Sequence, residues 1–99
     1  MQIMVKYPLV MKMEMSTYHA VTEETTLSQL KQEIFDFFWK CFLENSSVRG
    51  KVHGGPKNIE LLTEEKQIVA DDAYLQRHIK PERIFEAIFI KGIDGMQTL

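Results

Sequence analysis

The stretch that most constrains the fold is an amphipathic segment over residues 26–42. Thr26 is followed three residues later by Gln29, the spacing of a capping box, in which two side chains satisfy backbone N–H groups at a helix start. Apolar residues then recur every three or four positions, as a helix packed on a core requires. These residues are Leu27, Leu30, Ile34, Phe37, Phe38 and Cys41. The segment therefore predicts one long helix with a buried face.

The second half of this helix carries more apolar surface than one buried face needs. Phe35, Phe38, Trp39 and Phe42 widen the apolar arc to about half of the circumference, at roughly 100° per residue. Either Phe35 and Trp39 contact a protein partner, since such residues are enriched at interface cores, or the loop over residues 44–58 covers them. Helical spacing alone does not distinguish these two interpretations.

Alternating residues predict a hairpin at the start of the chain. Residues 1–6 show the period-two pattern of a strand that is buried on one face. Methionines alternate with charged residues over residues 11–15, which predicts a second strand whose methionines face the core. Pro8 has no backbone N–H to donate, so we expect the pairing to break near residues 7–10.

Further segments complete the predicted sheet. Residues 59–62 have the pattern of a short strand, and residues 67–70 that of a very short one. An acidic pair is placed to cap a helical turn over residues 73–78. Residues 84–90 are rich in β-branched and aromatic residues and apolar on both faces except at Glu86, which is typical of a central strand.

The order of these elements predicts an α+β fold. With the final strand central and the first strand beside it, the order is that of a β-grasp, a mixed sheet of four to five strands packed on one long helix. The chain has 99 residues and 44% apolar content, enough for one core without metal or disulfide help. We expect a single domain over residues 1–91 and an unanchored tail over residues 92–99.

Composition excludes several classes of function. The net charge of -2 comes from interspersed acids and bases, and no basic patch marks a nucleic-acid surface. No stretch approaches the roughly 18 apolar residues of a membrane span, and the first residues do not resemble a signal peptide. The single cysteine cannot form an internal disulfide, which favours a reducing compartment. We therefore expect a cytoplasmic or nuclear protein.

The chemistry-bearing residues do not form a catalytic pattern. The three histidines are far apart and lack the cysteine pairs or acidic clusters of a metal site, so they are predicted to lie at the surface. Cys41 falls on the buried side of the predicted helix, where a thiol is usually inert. Glu64-Glu65 and Asp71-Asp72 are explained by turn and cap chemistry. We therefore predict a protein that is not an enzyme and uses no cofactor, metal or small-molecule substrate.

Several short motifs resemble ubiquitin. MQIMVK over residues 1–6 is similar to the ubiquitin opening, and Lys-Gln-Ile over residues 66–68 resembles the Lys-Gln-Leu of that family. The helix start matches the ubiquitin spacing at Thr26, Leu27, Leu30, Lys31 and Ile34. The resemblance to the ubiquitin-like family covers nearly the whole predicted core, and it implies an integral ubiquitin-like domain of a larger protein.

Departures from the family bear on function. The final residues read GIDGMQTL and lack the Gly-Gly of conjugated modifiers, which makes conjugation the least favoured function. By resemblance, Leu9 and Ile88 fall near two positions of the apolar recognition patch of ubiquitin. The third position aligns with Glu60 or Leu61, and Leu62 is a partial substitute. If Glu60 faces outward, ordinary ubiquitin receptors should bind poorly.

The resemblance implies a protein–protein interaction module of the ubiquitin pathway or of a scaffold. Its candidate binding residues are Phe35, Trp39, Leu62, Ile88 and Leu9. The alternative is a small-GTPase-binding domain of the Ras-association type, which shares the topology and binds by sheet extension along the second strand. That mode needs basic residues at the outward edge, for which Lys6 and Lys12 are the candidates.

Overall fold

The chain forms a sheet with a long helical segment packed on one of its faces. The computed structural model describes residues 1–10, 13–43, 55–80 and 83–89. The elements in chain order are strand β1 (Gln2–Val10), strand β2 (Met13–Ala20), helix α1 (Leu27–Phe38), a π-helical turn (Trp39–Leu43), a 3-10 turn (Pro56–Asn58), strand β3 (Ile59–Leu62), helix α2 (Asp72–His78) and strand β4 (Ile84–Phe89).

The described strands form one mixed sheet in the order β2-β1-β4-β3. β1 and β4 pair in parallel at its centre, and the two outer pairings are antiparallel. The α+β class and the central position of the final strand beside the first are thus confirmed. The pairing of β1 with β2 shifts register between Tyr7 and Val10, where Pro8 was expected to interrupt it.

Strand β2 is longer than the sequence pattern predicted. It continues to Ala20, and its residues 16–20 pair with residues 2–6 of β1. Ser16, Tyr18 and Ala20 are exposed on one face of this strand, whereas His19 is buried on the other. Polar residues on both faces concealed the alternation, which becomes clear only beside β1.

The start of α1 has the predicted capping box. The Thr26 hydroxyl accepts a hydrogen bond from the Gln29 N–H at 3.1 Å, and the Gln29 side chain accepts one from the Thr26 N–H at 3.0 Å. Asp72 accepts a third bond, from the Leu27 N–H at 2.5 Å. The first turn of α1 is therefore tied both to its own cap and to the start of α2.

The buried face of α1 fills the space between the helix and the sheet. Leu30, Ile34 and Phe38 are fully buried, and they belong to one apolar cluster with side chains from β1, β3, β4 and α2, against which Met15 of β2 packs. The members that come from the sheet and α2 include Ile3, Val5, Ile59, Leu61, Leu75, Phe85 and Ala87. The helical stripe predicted from the sequence is confirmed as far as Phe38.

Beyond Phe38 the prediction for the helix is wrong at Cys41. The thiol was expected on the buried face, but Cys41 is exposed. The α-helix becomes a π-helical turn at Trp39. A π turn closes i→i+5 hydrogen bonds, so each residue advances by a smaller angle than in an α-helix. The 3.6-residue period therefore misplaces the side chains that follow Phe38.

The remaining elements follow the predicted order with one difference. α2 begins at its predicted acidic cap, where Asp71 accepts the Tyr74 N–H at 2.6 Å, and Leu75 and Ile79 are buried. The very short strand expected over residues 67–70 is a single bridge between Leu62 and Ile68. The predicted tail, residues 92–99, lies outside the described residues. Within the described ranges, no helix combines the length and apolarity needed to cross a bilayer.

The capping box gives a stability prediction. Replacing Thr26 with Ala removes the hydroxyl that accepts the Gln29 N–H, so the free energy of unfolding should fall by about 1 kcal/mol. Thr26→Ser keeps a hydroxyl and should stay close to the parent protein. Urea unfolding measures both variants, and equal stability of the two would contradict the role of the cap.

The π turn gives a prediction about reactivity. Cys41 is the only cysteine of the chain and it is exposed, so the native protein should react with a disulfide reagent such as DTNB as readily as the unfolded protein does. Release of the thiolate chromophore measures the reaction, with Cys41→Ser as the blank. Labelling that requires denaturant would show that the thiol is buried after all.

Candidate functional site

The sheet face opposite α1 carries a row of three apolar side chains. Tyr18 of β2 is paired with Met4 of β1, and Met4 is paired with Ile84 of β4. Directly opposite residues lie on the same face of a sheet. All three alternate along their strands with residues buried against α1, such as Val5 and Phe85. The row, called the outer row below, therefore faces away from the helix.

Much of this outer row is accessible. Tyr18 has 58% of its surface exposed, and Met4 and Ile84 are half-buried. These three residues were not among the predicted binding residues, because the predicted second strand ended at residue 15 and therefore did not include Tyr18. Ser16, Tyr18 and Ala20 alternate along β2, but this alternation becomes evident only from the pairing with β1.

A second row beside it contains charged residues. Lys6 is paired with Ser16 on one side and Glu86 on the other, and Glu86 is paired with Leu62. The Glu86 carboxylate forms an ion pair with the Lys66 ammonium at 2.5 Å. Lys6 is exposed and has no ion-pair partner among the described residues.

The predicted apolar patch is only partly described. Leu62 is 7% exposed and lies outside the apolar cluster under α1, so it is buried on the outer face and offers a partner little surface. Leu9 and Ile88 belong to β1 and β4, but their side chains lie outside the description. Lys12 lies outside the described residues. The patch as a binding site stays a prediction.

Phe35 and Trp39 form an aromatic flank of the helical segment that is neither fully buried nor fully exposed. The rings of Phe35 and Trp39 stack with centroids 6.3 Å apart. Both residues are half-buried and pack against the apolar cluster. The loop expected to cover them falls largely in residues 44–54, outside the described part of the chain. Their role in binding also stays a prediction.

A polar pair is buried where β1 and β2 meet α1. The Tyr7 hydroxyl is hydrogen-bonded to Nε2 of His19, which is only 8% exposed. The Phe38 ring stacks on Tyr7 at 5.9 Å, and the Phe37 ring meets His19 edge-on at 5.7 Å. Burial lowers the pKa of the His19 imidazole and raises the pKa of the Tyr7 hydroxyl. Both groups are therefore neutral at pH 7.

The prediction of surface histidines is wrong for His19. β2 runs through this residue, and strand alternation turns its side chain toward α1. The Tyr7 hydroxyl then supplies the hydrogen bond that a buried imidazole needs. No local pattern indicates this pair, since the two residues are twelve positions apart and not directly opposite in the register.

The adjacent carboxylates have structural partners. Asp71 and Asp72 accept helix N-terminal N–H groups, as described above. Glu64 accepts the backbone N–H of Ile84 at 2.9 Å, and both oxygens of Glu65 bind the guanidinium of Arg83 at 3.1 Å. Turn and cap chemistry thus accounts for both acidic pairs. No three His, Cys, Asp or Glu side chains among the described residues are grouped to hold a metal ion.

Comparison with protein-family models, with curated proteins and with solved structures found no match to this chain. The resemblance to the ubiquitin-like family therefore rests on the sequence motifs described above and stays a prediction.

The buried histidine gives a pH prediction. In the unfolded chain His19 takes up a proton below about pH 6.5, whereas its lowered pKa keeps it neutral in the folded chain. Its contribution to stability is therefore complete above pH 6.5 and is lost as the pH falls further, by up to about 1.4 kcal/mol per pH unit. Urea unfolding between pH 7.5 and about pH 5 measures this slope.

The matched variant is His19→Gln, which keeps a polar group near the Tyr7 hydroxyl but does not titrate. It should flatten the dependence between about pH 6.5 and pH 5. Hydrogen bonding to its own backbone lowers the pKa of Glu65 below its ordinary value, so this carboxyl contributes only at more acidic pH. An unchanged slope in His19→Gln would show that another group is responsible.

Proposed function

We propose that the chain is an integral ubiquitin-like domain of the β-grasp type that acts as a non-enzymatic protein–protein interaction module. The parallel pairing of β1 with β4 at the sheet centre, the flanking antiparallel strands and helix α1 packed on one face support the fold assignment. The motifs that resemble ubiquitin in β1 and at the start of α1 support the family. We place the module in the cytoplasm or the nucleus.

The outer row is the observation that carries the binding function. Tyr18, Met4 and Ile84 form a continuous apolar strip on a sheet face that no described helix covers. Accessible apolar strips bordered by polar residues mark interaction sites, and tyrosine is enriched at interface cores. Lys6 and the Lys66–Glu86 ion pair provide such a polar border.

The carboxylate of Glu60 disfavours a partner that would place an apolar surface over β3. Glu60 is half-buried, alternates with the buried Ile59 and Leu61, and is paired with Ile88. Its carboxylate thus lies on the outer face near β3, where a receptor with an apolar surface would leave it without water or a partner. We propose that a ubiquitin-pathway or scaffold protein docks instead on the β2 side, over Tyr18 and Met4.

The test is an NMR titration of the isotope-labelled protein with a panel of purified ubiquitin-pathway proteins. A true partner should shift the amide signals of Tyr18, Met4 and Ile84. Tyr18→Ala should weaken that binding about tenfold or more, as truncation of a central interface tyrosine does. Tyr18 is largely exposed, so this variant should keep its fold.

The matched control is Trp39→Ala, which truncates an aromatic residue on the helical flank. Its affinity should stay close to that of the parent protein. Loss of binding in Trp39→Ala but not in Tyr18→Ala would transfer the site to the helical flank. If no member of the panel bound at about 1 mM, the proposed pathway would be wrong.

The second candidate is a small-GTPase-binding domain of the Ras-association type. It is supported by the edge position of β2, because that mode extends the sheet along the second strand. Binding should then require the GTP-loaded form of the GTPase and should be lost in Lys12→Glu. Lys40→Glu changes the same charge on the π turn and serves as the control. Equal binding to the GDP-loaded form would remove this candidate.

A further inference from the structure

The two edges of the sheet differ in whether their backbone groups have partners. At the β3 edge, Leu62 forms a bridge with Ile68, and the Val69 N–H donates to the Leu61 carbonyl at 2.8 Å. Among the described residues, β2 pairs with β1 alone. Alternate N–H and C=O groups of an edge strand point away from its neighbour. β2 therefore offers a row of groups without a backbone partner among the described residues, whereas residues 68 and 69 pair with part of the β3 edge.

The residues of β2 lack the features that usually prevent another strand from pairing with an exposed edge. Residues 15–20 read MSTYHA and contain no lysine, no proline and no carboxylate. Monomeric proteins usually blunt an exposed edge with charged residues, proline, a bulge or a very short strand. β2 is eight residues long, and its register shift lies toward Val10, away from residues 15–20. This segment is therefore suited to the addition of another strand.

We propose that two copies of this chain pair through their β2 strands, antiparallel, with Thr17 on the twofold axis. This register keeps α1 of both copies on the same side of one continuous sheet, because directly opposite residues share a face. It pairs Thr17 with Thr17 of the second copy, Ser16 with Tyr18, and Met15 with His19. Only Glu14, opposite Ala20, carries a charge.

The pairing is self-complementary, which favours a second copy over another extended peptide. No like charges meet, and threonine directly opposite threonine is a favourable cross-strand pair. Seven residues of each strand, positions 14–20, take part. A twofold interface buries the same patch on both copies, so each favourable pair away from the axis occurs twice. Electrostatics therefore does not oppose association of β2 with itself, because its one charged residue, Glu14, lies opposite Ala20.

The dimer would also enlarge the outer row. Tyr18 of each copy lies opposite Ser16 of the other, so the two tyrosines flank the axis on the face away from the helices. The two outer rows then meet at the centre of the combined sheet. The monomer ends its apolar row at an open edge, whereas the dimer continues it. The pairing does not depend on the partner proposed above, and it is tested in the absence of any partner.

The first test uses two double variants at exposed positions, measured by analytical ultracentrifugation over a concentration series. Ser16→Lys/Tyr18→Lys places two lysines opposite each other on both sides of the axis, so its dimer dissociation constant should rise tenfold or more. Ser16→Glu/Tyr18→Lys places opposite charges there and should keep the dimer. A parent protein that stays monomeric up to about 1 mM, or equal behaviour of the two variants, would overturn the proposal.

The second test fixes the register by cysteine cross-linking in the Cys41→Ser background. Thr17→Cys alone should give a disulfide-linked dimer, because its thiols meet at the axis. Ser16→Cys and Tyr18→Cys should not cross-link alone but should do so when mixed, since each lies opposite the other. Circular dichroism checks the fold of each variant. Cross-linking of Ser16→Cys alone would overturn the proposed register.

Discussion

The structure depends on the burial of one helical stripe against one face of the sheet. Leu30, Ile34 and Phe38 have zero exposure in an apolar cluster to which β1 contributes Ile3 and β4 contributes Phe85. Each fully buried side chain of this size contributes roughly 1.5–3 kcal/mol relative to an exposed one. A slip of one residue in either strand would expose those side chains. Burial under α1 thus sets which residues of each strand face inward.

Burial under α1 also determines which residues lie on the outer face of the sheet. Once Ile3 and Val5 face the helix, Met4 must face away, and its cross-strand neighbours must do the same. Tyr18 and Ile84 are brought beside it because β2 and β4 both pair with β1, the first antiparallel and the second parallel. The candidate binding surface therefore arises from long-range pairing and from no single sequence motif.

The buried Tyr7–His19 pair introduces polarity into the same packing. The two groups satisfy each other, and the aromatic rings of Phe37 and Phe38 enclose them. A buried polar group without a partner would cost about 1–3 kcal/mol, so neither residue is easily replaced alone. The pair joins β1 to β2 beneath the helix, on the inner face of the strand whose outer edge has no neighbour among the described strands. β2 therefore packs against α1 through its inner face, and the same strand forms an edge of the described sheet.

The sequence alone determined the features that depend on short-range patterns. The capping box at Thr26, the stripe as far as Phe38, the Asp71 cap and the apolar final strand all depend on contacts between near neighbours or on regular periodicity. Tertiary structure decided the rest. It extended β2 and turned His19 inward, because strand pairing overrides a mixed polar pattern. It exposed Cys41, because a π turn changes the helical angle, and it assembled the outer row by pairing β1 both with β2 and with β4, which lies far away in the chain.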